Sequence, residues 1–336
     1  MMRFIVHGAG AIGSILGACL AKSGYKAVLI GREAHVNRIN QSGLKIITKD
    51  GGFTVSLPAV THPSELEYQY QPGDVIFLTT KSEDTGEAAD CLIRYFPDYT
   101  PFFCLQNGVS NEELVSRKFR HVYGGVVFFS GTFLKAGEVA YTRPGRVGLG
   151  VYPTGINSAA KTVQEALQES GIPTSLHEHI MSVKWSKLVI NLGMAVNAII
   201  GLSGAEALAS REPRELIADI AEEGLRVIQA AGNALEDEPG QPPAAERPAR
   251  LRAMKDSPPD AAAEEMKHRP SAWQDLVLQR GKSEVDFLNG EIVRLGKKLG
   301  IPTPLNSLMV RVVKQMAEEK SAPGKYAVAE LRKMLE

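Results

Sequence analysis

The stretch Arg3-Phe4-Ile5-Val6-His7-Gly8-Ala9-Gly10-Ala11-Ile12-Gly13 decides the fold of this chain. A short apolar strand over Arg3–His7 runs straight into glycines spaced G-x-G-x-x-G, and residues 14–23 then read as a helix. Gly8 suits a tight turn, Gly10 lets the backbone reach a pyrophosphate, and Gly13 lets helix and strand pack closely. Gly8, Ala9, Gly10, Ala11, Ile12 and Gly13 are therefore read as a cofactor-binding turn, with the N–H groups of the helix N-terminus meeting the phosphate charge. A second strand over Lys26–Ile30, following a cap at Gly24, supplies the strand, turn, helix and strand context that the motif requires.

About 20 residues beyond the last glycine, an NAD site usually carries an acid for the ribose 2′-hydroxyl. Here the second strand ends Leu29-Ile30-Gly31-Arg32. A guanidinium fork matches a 2′-phosphate that an acid would repel, so NADPH/NADP is favoured over NADH, with Arg32 as the contact. The competing reading makes Arg32 a solvated loop charge and gives the ribose to Glu33.

The 336 residues suffice for two domains, and 44% hydrophobic with 23% charged residues is ordinary for a soluble globular enzyme. Lysines and arginines number 38 and acids 38, so no basic field draws in nucleic acid. The expected partner is a small molecule, with neither nucleic acid nor membrane involved. The N-terminal glycines sit where the nucleotide turn needs them, which reads as mature structure and not as a secretory leader. Cys19, Cys91 and Cys104 lack C-x-x-C spacing, which disfavours a disulfide framework and a zinc site and makes the cytoplasm the expected compartment. His177 and His179 read as surface or junction residues, and no metal is expected.

The first half alternates strands (74–80, 101–105) with helices (83–95, 111–118), the doubly wound signature. Residues 121–151 become glycine-punctuated and β-rich, and the runs 122–129, 138–142 and 146–150 predict antiparallel strands extending the sheet. A helix over Ser158–Glu169 and a strand near Thr174–Leu176 finish that half. Beyond His179 the segments 180–196, 213–231, 271–280, 282–299 and 304–319 read as helices. The fold class is thus an α/β N-terminal Rossmann-type doubly wound domain (1–178) plus an all-α C-terminal domain (179–336). Pro239, Pro242, Pro243, Pro248, Pro258 and Pro259 mark 235–266 as a mobile loop insertion with room for one short helix. The apolar helices from Lys282 onward suit internal packing or a homodimer face equally.

In open α/β sheets the ligand lies outside the carboxyl ends of the strands. Lys81 ends one such strand and Asn107-Gly108 another, on the same rim as the glycine turn. A strand-end lysine is often only solvated and an Asn-Gly often only a turn, but the rim position raises both, Asn107 more than Lys81. A second cluster is Lys184-Trp185-Ser186-Lys187-Leu188-Val189-Ile190-Asn191, where Lys187 and Asn191 share a helix face. In such apolar surroundings Lys187 either snorkels to solvent or donates a proton with a tuned pKa, and periodicity leaves both open. The segments His268 to Asp275 and Ser283 to Gly290 add a hydroxyl and a carboxylate, each by itself read as a cap or surface group.

Taken in order, G-x-G-x-x-G, T-K, Q-N-G, W-x-K-L-x-x-N, P-S-x-x-Q-D and E-V-D-x-x-N-G resemble the ketopantoate reductase (2-dehydropantoate 2-reductase) family over nearly the whole chain. The resemblance implies NADPH-dependent reduction of the C2 ketone of ketopantoate to pantoate, for pantothenate and coenzyme A synthesis. It implies Lys187 as general acid and Glu284 as the carboxylate that holds the lysine and the substrate hydroxyl. Asn107 then lies near nicotinamide and substrate, Asn191 and Ser271 bind substrate, and Lys81 and Arg32 serve the cofactor; Glu284 counts among the cofactor contacts as well. Two departures bear on the pocket. The family's further asparagine, four residues after the one matched by Asn191, is Ala195 here, and Asn197 fits only with a shifted register; another substrate asparagine is replaced by His268. The spacing from Asp275 to Glu284 is also about one residue longer than the family pattern. Reduction of a different 2-oxo acid is therefore the alternative, and a non-catalytic NADPH-binding sensor the alternative from another class.

Overall fold

Both faces of the first strand are buried: Phe4 and Val6 enter one hydrophobic cluster and Ile5 enters another. Such a near-continuous apolar run is what a strand covered by helices on both sides requires. The structure, a computed structural model, describes residues 2–257, 273, 276–277 and 283–335. The chain divides into two compact units, Met1–Met181 and Ser182–Glu336.

The first unit runs β1 (Arg3–His7), α1 (Ala11–Lys22), β2 (Lys26–Ile30), α2 (Glu33–Ser42), β3 (Leu44–Ile47), β4 (Phe53–Val55) and β5 (Ala59–Val60). It continues β6 (Asp74–Leu78), α3 (Thr85–Leu92), β7 (Phe102–Cys104), α4 (Asn111–Ser116), β8 (Val122–Val127), β9 (Ser130–Lys135), β10 (Glu138–Arg143), β11 (Val147–Val151), α5 (Ser158–Glu169) and β12 (Thr174–Leu176). Eight strands form one sheet in the order β12-β11-β8-β7-β6-β1-β2-β5. From β8 through β5 every pairing is parallel, and strand order reverses between β1 and β6, the switch point at which such sheets bind ligands. The register there is pinned at the opposite end of the sheet. Buried Arg3 makes a two-pronged ion pair with buried Asp74 (2.8 and 2.7 Å), matching the Arg3 to Asp74 pairing of β1 and β6.

The β-rich run after residue 121 departs from the sequence expectation. Only β11 joins the main sheet antiparallel, against β8, whereas β8 itself is parallel to β7. β10 leaves for a separate four-stranded sheet, order β4-β3-β10-β9. The reason lies in α1, which is buried continuously from Gly13 to Leu20 and so needs cover on more than the sheet side. The β9 strand passes so close that a Cβ on Gly131 would stand 2.4 Å from Ile15.

Among the described residues of the second unit there is no strand. Its helices are α6 (Ile180–Asn191, which begins just before the division), α7 (Met194–Ile200), α8 (Gly204–Ala209), α9 (Arg211–Ala230), α10 (Arg247–Ala253), α11 (Asn289–Leu299), α12 (Pro304–Glu318) and α13 (Val328–Lys333). Two expected helices are interrupted. The run 180–196 breaks at Leu192-Gly193, where α9 crosses so near that a Gly193 Cβ would meet Ile217 at 2.7 Å. The run 282–299 opens with a 3-10 turn at Glu284–Phe287, capped by the Ser283 hydroxyl, and becomes α-helical only at Asn289. The stretch Ile180–Ile200 is long and apolar enough to cross a membrane, but 72% of its most apolar window is buried inside the protein, as a core helix pair would be. Within the proline-rich stretch, α10 is fastened to α9 by Arg252, which pairs with Asp219 and Glu222; residues 258–266 lie outside the described residues.

Candidate functional site

Each glycine of the turn has its own structural ground. Gly8 has φ +113°, and a Cβ there would lie 2.4 Å from the backbone nitrogen of Thr80 at the end of β6. A Cβ on Gly13 would stand 2.3 Å from the Gly8 carbonyl and 2.4 Å from the Thr79 hydroxyl, which itself donates to that carbonyl (2.8 Å). These two glycines are demanded by the protein's own packing across the switch point. Gly10 is different. Beyond its chain neighbours, no atom of the described residues lies within 4 Å of where its Cβ would be, so they leave that space open.

The helix end facing this space is uncapped. Gly10 is the N-cap of α1 and supplies no side-chain hydrogen bond, the first turn carries no acid, and the Ser14 amide is the first to find a helical partner, the Gly10 carbonyl (3.0 Å). The amides of Ala11, Ile12 and Gly13 are therefore at the positive end of the dipole. An open approach at Gly10 beside an uncapped helix end fits a dinucleotide pyrophosphate. The turn is tied to β2 by the Gly8 and Ala9 amides, both donating to the Ile30 carbonyl (3.0 Å each). Gly31 follows; its Cβ would collide with that of Ala9 at 2.6 Å, so β2 ends hard against the turn. Arg32 comes next, exposed at the start of α2, with no ion pair among the described residues.

Lys81 and Asn107 sit at adjacent strand ends, past β6 and β7. Lys81 is half-buried and opens a 3-10 turn over Ser82–Asp84. The Asn107 carbonyl accepts from the Ser82 hydroxyl (2.9 Å) and from the Asn111 amide (2.8 Å). The other end of Asn111 accepts from Thr85 (2.8 Å), whose oxygen in turn accepts from Gln106 (2.8 Å). Ser82, Thr85, Gln106 and Asn111 are all buried, so this network clamps the two rims together and fixes the Asn107 backbone. The sequence reading quoted Gln106 only within Q-N-G and did not single out Ser82, Thr85 or Asn111; a polar residue at the opening of a rim helix was the available signal.

In the second unit Lys187 is half-buried and Asn191 buried on α6, while Glu284 is buried in the 3-10 turn. Ala195 and Asn197 are both buried on α7, and the Asn197 side-chain oxygen has no hydrogen-bond partner among the described residues. His268 and Ser271 lie outside the described residues. Asn289, five positions after Glu284 and quoted by the sequence reading without a role, donates from its side chain to the carbonyl of Leu192, the residue that follows α6 (3.1 Å). His177 and His179 each meet a hydroxyl, of Ser175 (3.2 Å) and Thr154 (3.0 Å) respectively.

Comparison with known proteins extends over both units. The family described as "Ketopantoate reductase PanE/ApbA" matches residues 4–154, and its C-terminal counterpart matches residues 179–317. The 2-dehydropantoate 2-reductase of Pyrococcus abyssi is 30% identical over 321 residues, covering 93% of this chain and 97% of that protein. The crystal structure of a PanE/ApbA family ketopantoate reductase from Ralstonia eutropha JMP134 superposes with a TM-score of 0.79 at 28% identity, covering 95% of this chain and 99% of the other. A D-mandelate dehydrogenase in ternary complex with NADH and anilino(oxo)acetate superposes with a TM-score of 0.82 at 26% identity and the same coverage. With both halves matched in order, the chain belongs to the PanE/ApbA family of ketopantoate reductases.

Proposed function

We propose that this protein reduces 2-dehydropantoate (ketopantoate) to pantoate with NADPH, a step of pantothenate and coenzyme A synthesis. The observation that carries this reading is the pairing, in one chain, of an open, uncapped phosphate turn at Gly10 with the Lys187, Asn191 and Glu284 set. The relatives named for this activity span almost the full chain and support it.

When bound, the reduced nicotinamide supplies a hydride to the C2 ketone. The amides of Ala11, Ile12 and Gly13 hold the pyrophosphate, and the Arg32 fork takes the 2′-phosphate with Lys81 adding charge. As negative charge grows on the ketone oxygen, the Lys187 ammonium stabilises it and gives up a proton from Nζ, a role typically worth about a hundred- to ten-thousand-fold in rate. Glu284 orients that ammonium and the substrate hydroxyl, while Asn107, Asn191, Asn197, Ser271 and His268 are assigned to substrate. Cys19, Cys91 and Cys104 form no disulfide, which fits a reducing cytoplasm.

A second reading, a reductase of another 2-oxo acid with NADPH, is favoured by Ala195, a small apolar residue at a family asparagine position, and by the likeness to a mandelate enzyme. Loss of NADPH absorbance separates the two. Rapid loss with ketopantoate and slow loss with aromatic 2-oxo acids supports pantoate formation. The reverse order moves the substrate, and nucleotide binding without turnover on any 2-oxo acid removes the catalytic reading.

A further inference from the structure

Four buried groups in the second unit form a chain of hydrogen bonds whose donor directions are fixed from its carboxylate end. Glu223 on α9 can only accept through its carboxylate oxygens: Oε1 takes the Asn306 backbone N–H and side-chain Nδ2 (2.8 Å each), and Oε2 takes the Leu305 N–H (3.1 Å). The carboxylate thereby satisfies two orphan amides of α12 and sits at the positive end of its dipole. Because Nδ2 of Asn306 is committed to Glu223, its Oδ1 must turn the other way, and there it accepts from Nδ2 of Asn289 (2.9 Å). The same Nδ2 of Asn289 donates to the Leu192 carbonyl (3.1 Å). Asn289 and Asn306 are at most 1% exposed, so solvent offers neither an alternative partner.

Asn289 and the Leu192 carbonyl it reaches adjoin the elements assigned to the reaction. Leu192 directly follows Asn191, the last residue of the helix that carries Lys187, and Asn289 opens α11 one residue beyond the turn that carries Glu284. The expected continuous helix over 282–299 would have lacked this arrangement, since the α-helical run starts at Asn289 itself.

We infer that Asn289, oriented through Asn306 by Glu223, is a positioning residue that sets the separation between the Lys187 helix and the Glu284 turn. It touches no reacting atom; it acts by holding the carboxylate where it can orient the lysine ammonium. This rests on the reading of Lys187 and Glu284 as the proton-donating pair. Asn289→Asp is nearly isosteric but offers no amide donor to the Leu192 carbonyl, and Asn289→Ala removes the link.

The full-length protein is assayed for kcat, KM, the pH profile of kcat, NADPH affinity and melting temperature. Misplacing a catalytic group by about 1 Å can cost roughly a hundredfold. Both Asn289 variants are expected to lose about ten- to a hundredfold in kcat, to keep NADPH affinity, and to shift the pH limb that Lys187→Ala abolishes. Asn306→Ala should give a weaker form of the same shift, and the double variant Asn289→Ala with Asn306→Ala should be no worse than Asn289→Ala alone, since both act through one link. If Asn289→Ala does not fold, Asn306→Ala decides by the same readouts. Folded variants with wild-type kcat and an unmoved profile, or a loss confined to melting temperature, overturn the proposal. Lys187→Ala is measured in parallel. If it is inactive while the Asn289 variants are normal, positioning alone is refuted; wild-type turnover in Lys187→Ala refutes the underlying reading and this proposal together.

Discussion

The glycine turn and the lysine helix solve the problem of placing a functional group in opposite ways. At Gly8–Gly13 the groups offered to a ligand are backbone amides, set by six consecutive residues and by glycines whose absent Cβ atoms let β1, β2 and β6 converge. In the second unit the groups are side chains nearly a hundred positions apart in sequence, and their separation depends on buried amides and one carboxylate from three further elements. A backbone site is written into local spacing; a side-chain site is only as well placed as the network behind it.

Changes in the two regions should therefore fail differently, and the largest expected effect tests the side-chain region. Lys187→Ala should lower kcat about a hundred- to ten-thousand-fold while NADPH affinity stays within experimental error, as read by absorbance turnover and nucleotide titration. Comparable turnover in the variant would take the general acid away from this helix. Next come the glycines, where two substitutions of the same size should separate folding from binding. Gly8→Ala forces a positive φ and a 2.4 Å clash with backbone, and a cost of at least about 1–3 kcal/mol should appear as a lower melting temperature. Gly10→Ala meets no atom, so stability should change by less than about 1 kcal/mol, yet nucleotide affinity should fall at least about tenfold as the methyl occupies the open approach. A melting curve for Gly10→Ala as depressed as that of Gly8→Ala would show that its glycine serves folding and not the ligand.

Acid should weaken the first unit selectively, since six of the seven histidines precede residue 180. Burial, reinforced by the charge of His62, lowers His7 from 6.5 to about 4, and its Nδ1 has no partner among the described residues. Between those values the unfolded chain binds a proton that the folded chain excludes, so stability is full above pH 6.5 and drains as pH falls toward 4, by up to about 3 kcal/mol. His35 adds in the same direction: burial lowers it, and its Nδ1 accepts from the Gly137 amide (2.9 Å), a bond that protonation would break. Calorimetry at pH 7 and pH 5 on wild type and His7→Leu checks this; an equal shift in both would acquit His7. The smallest effect concerns the cofactor's 2′-phosphate. Arg32→Ala should weaken NADPH about tenfold and leave NADH nearly unchanged, because one exposed charge-assisted contact is at stake. An unchanged preference would assign the phosphate to Lys81 or to no side chain.

Local chemistry made much of the first unit legible. The spacing of Gly8, Gly10 and Gly13 and the apolar run of β1 placed the turn, and β1, β2, α5 and β12 fall on the residues expected of them. The second sheet was not legible, because the alternation of 138–142 looks the same whether the strand pairs with β8 or folds over α1; only the burial of α1 on its outer side decides. The roles proposed for Lys187, Asn191 and Glu284 in the helical unit rest on family resemblance, since a lysine on an apolar helix is equally consistent with snorkelling.

By itself, then, the sequence determined where a phosphate could meet backbone, because that geometry is closed within a few residues and glycine is the residue that permits it. Through the family resemblance it also supplied the side chains proposed for proton transfer, Lys187 and Glu284. Tertiary structure alone decided that the run 282–299 begins as a tight turn, that α6 ends where α9 crosses it, and that Asn289, Asn306 and Glu223 link the two. The physical reason is range: turn and helix signals act over a few residues, whereas the partner of a buried amide is chosen by whichever element packs beside it, wherever in the chain that element lies.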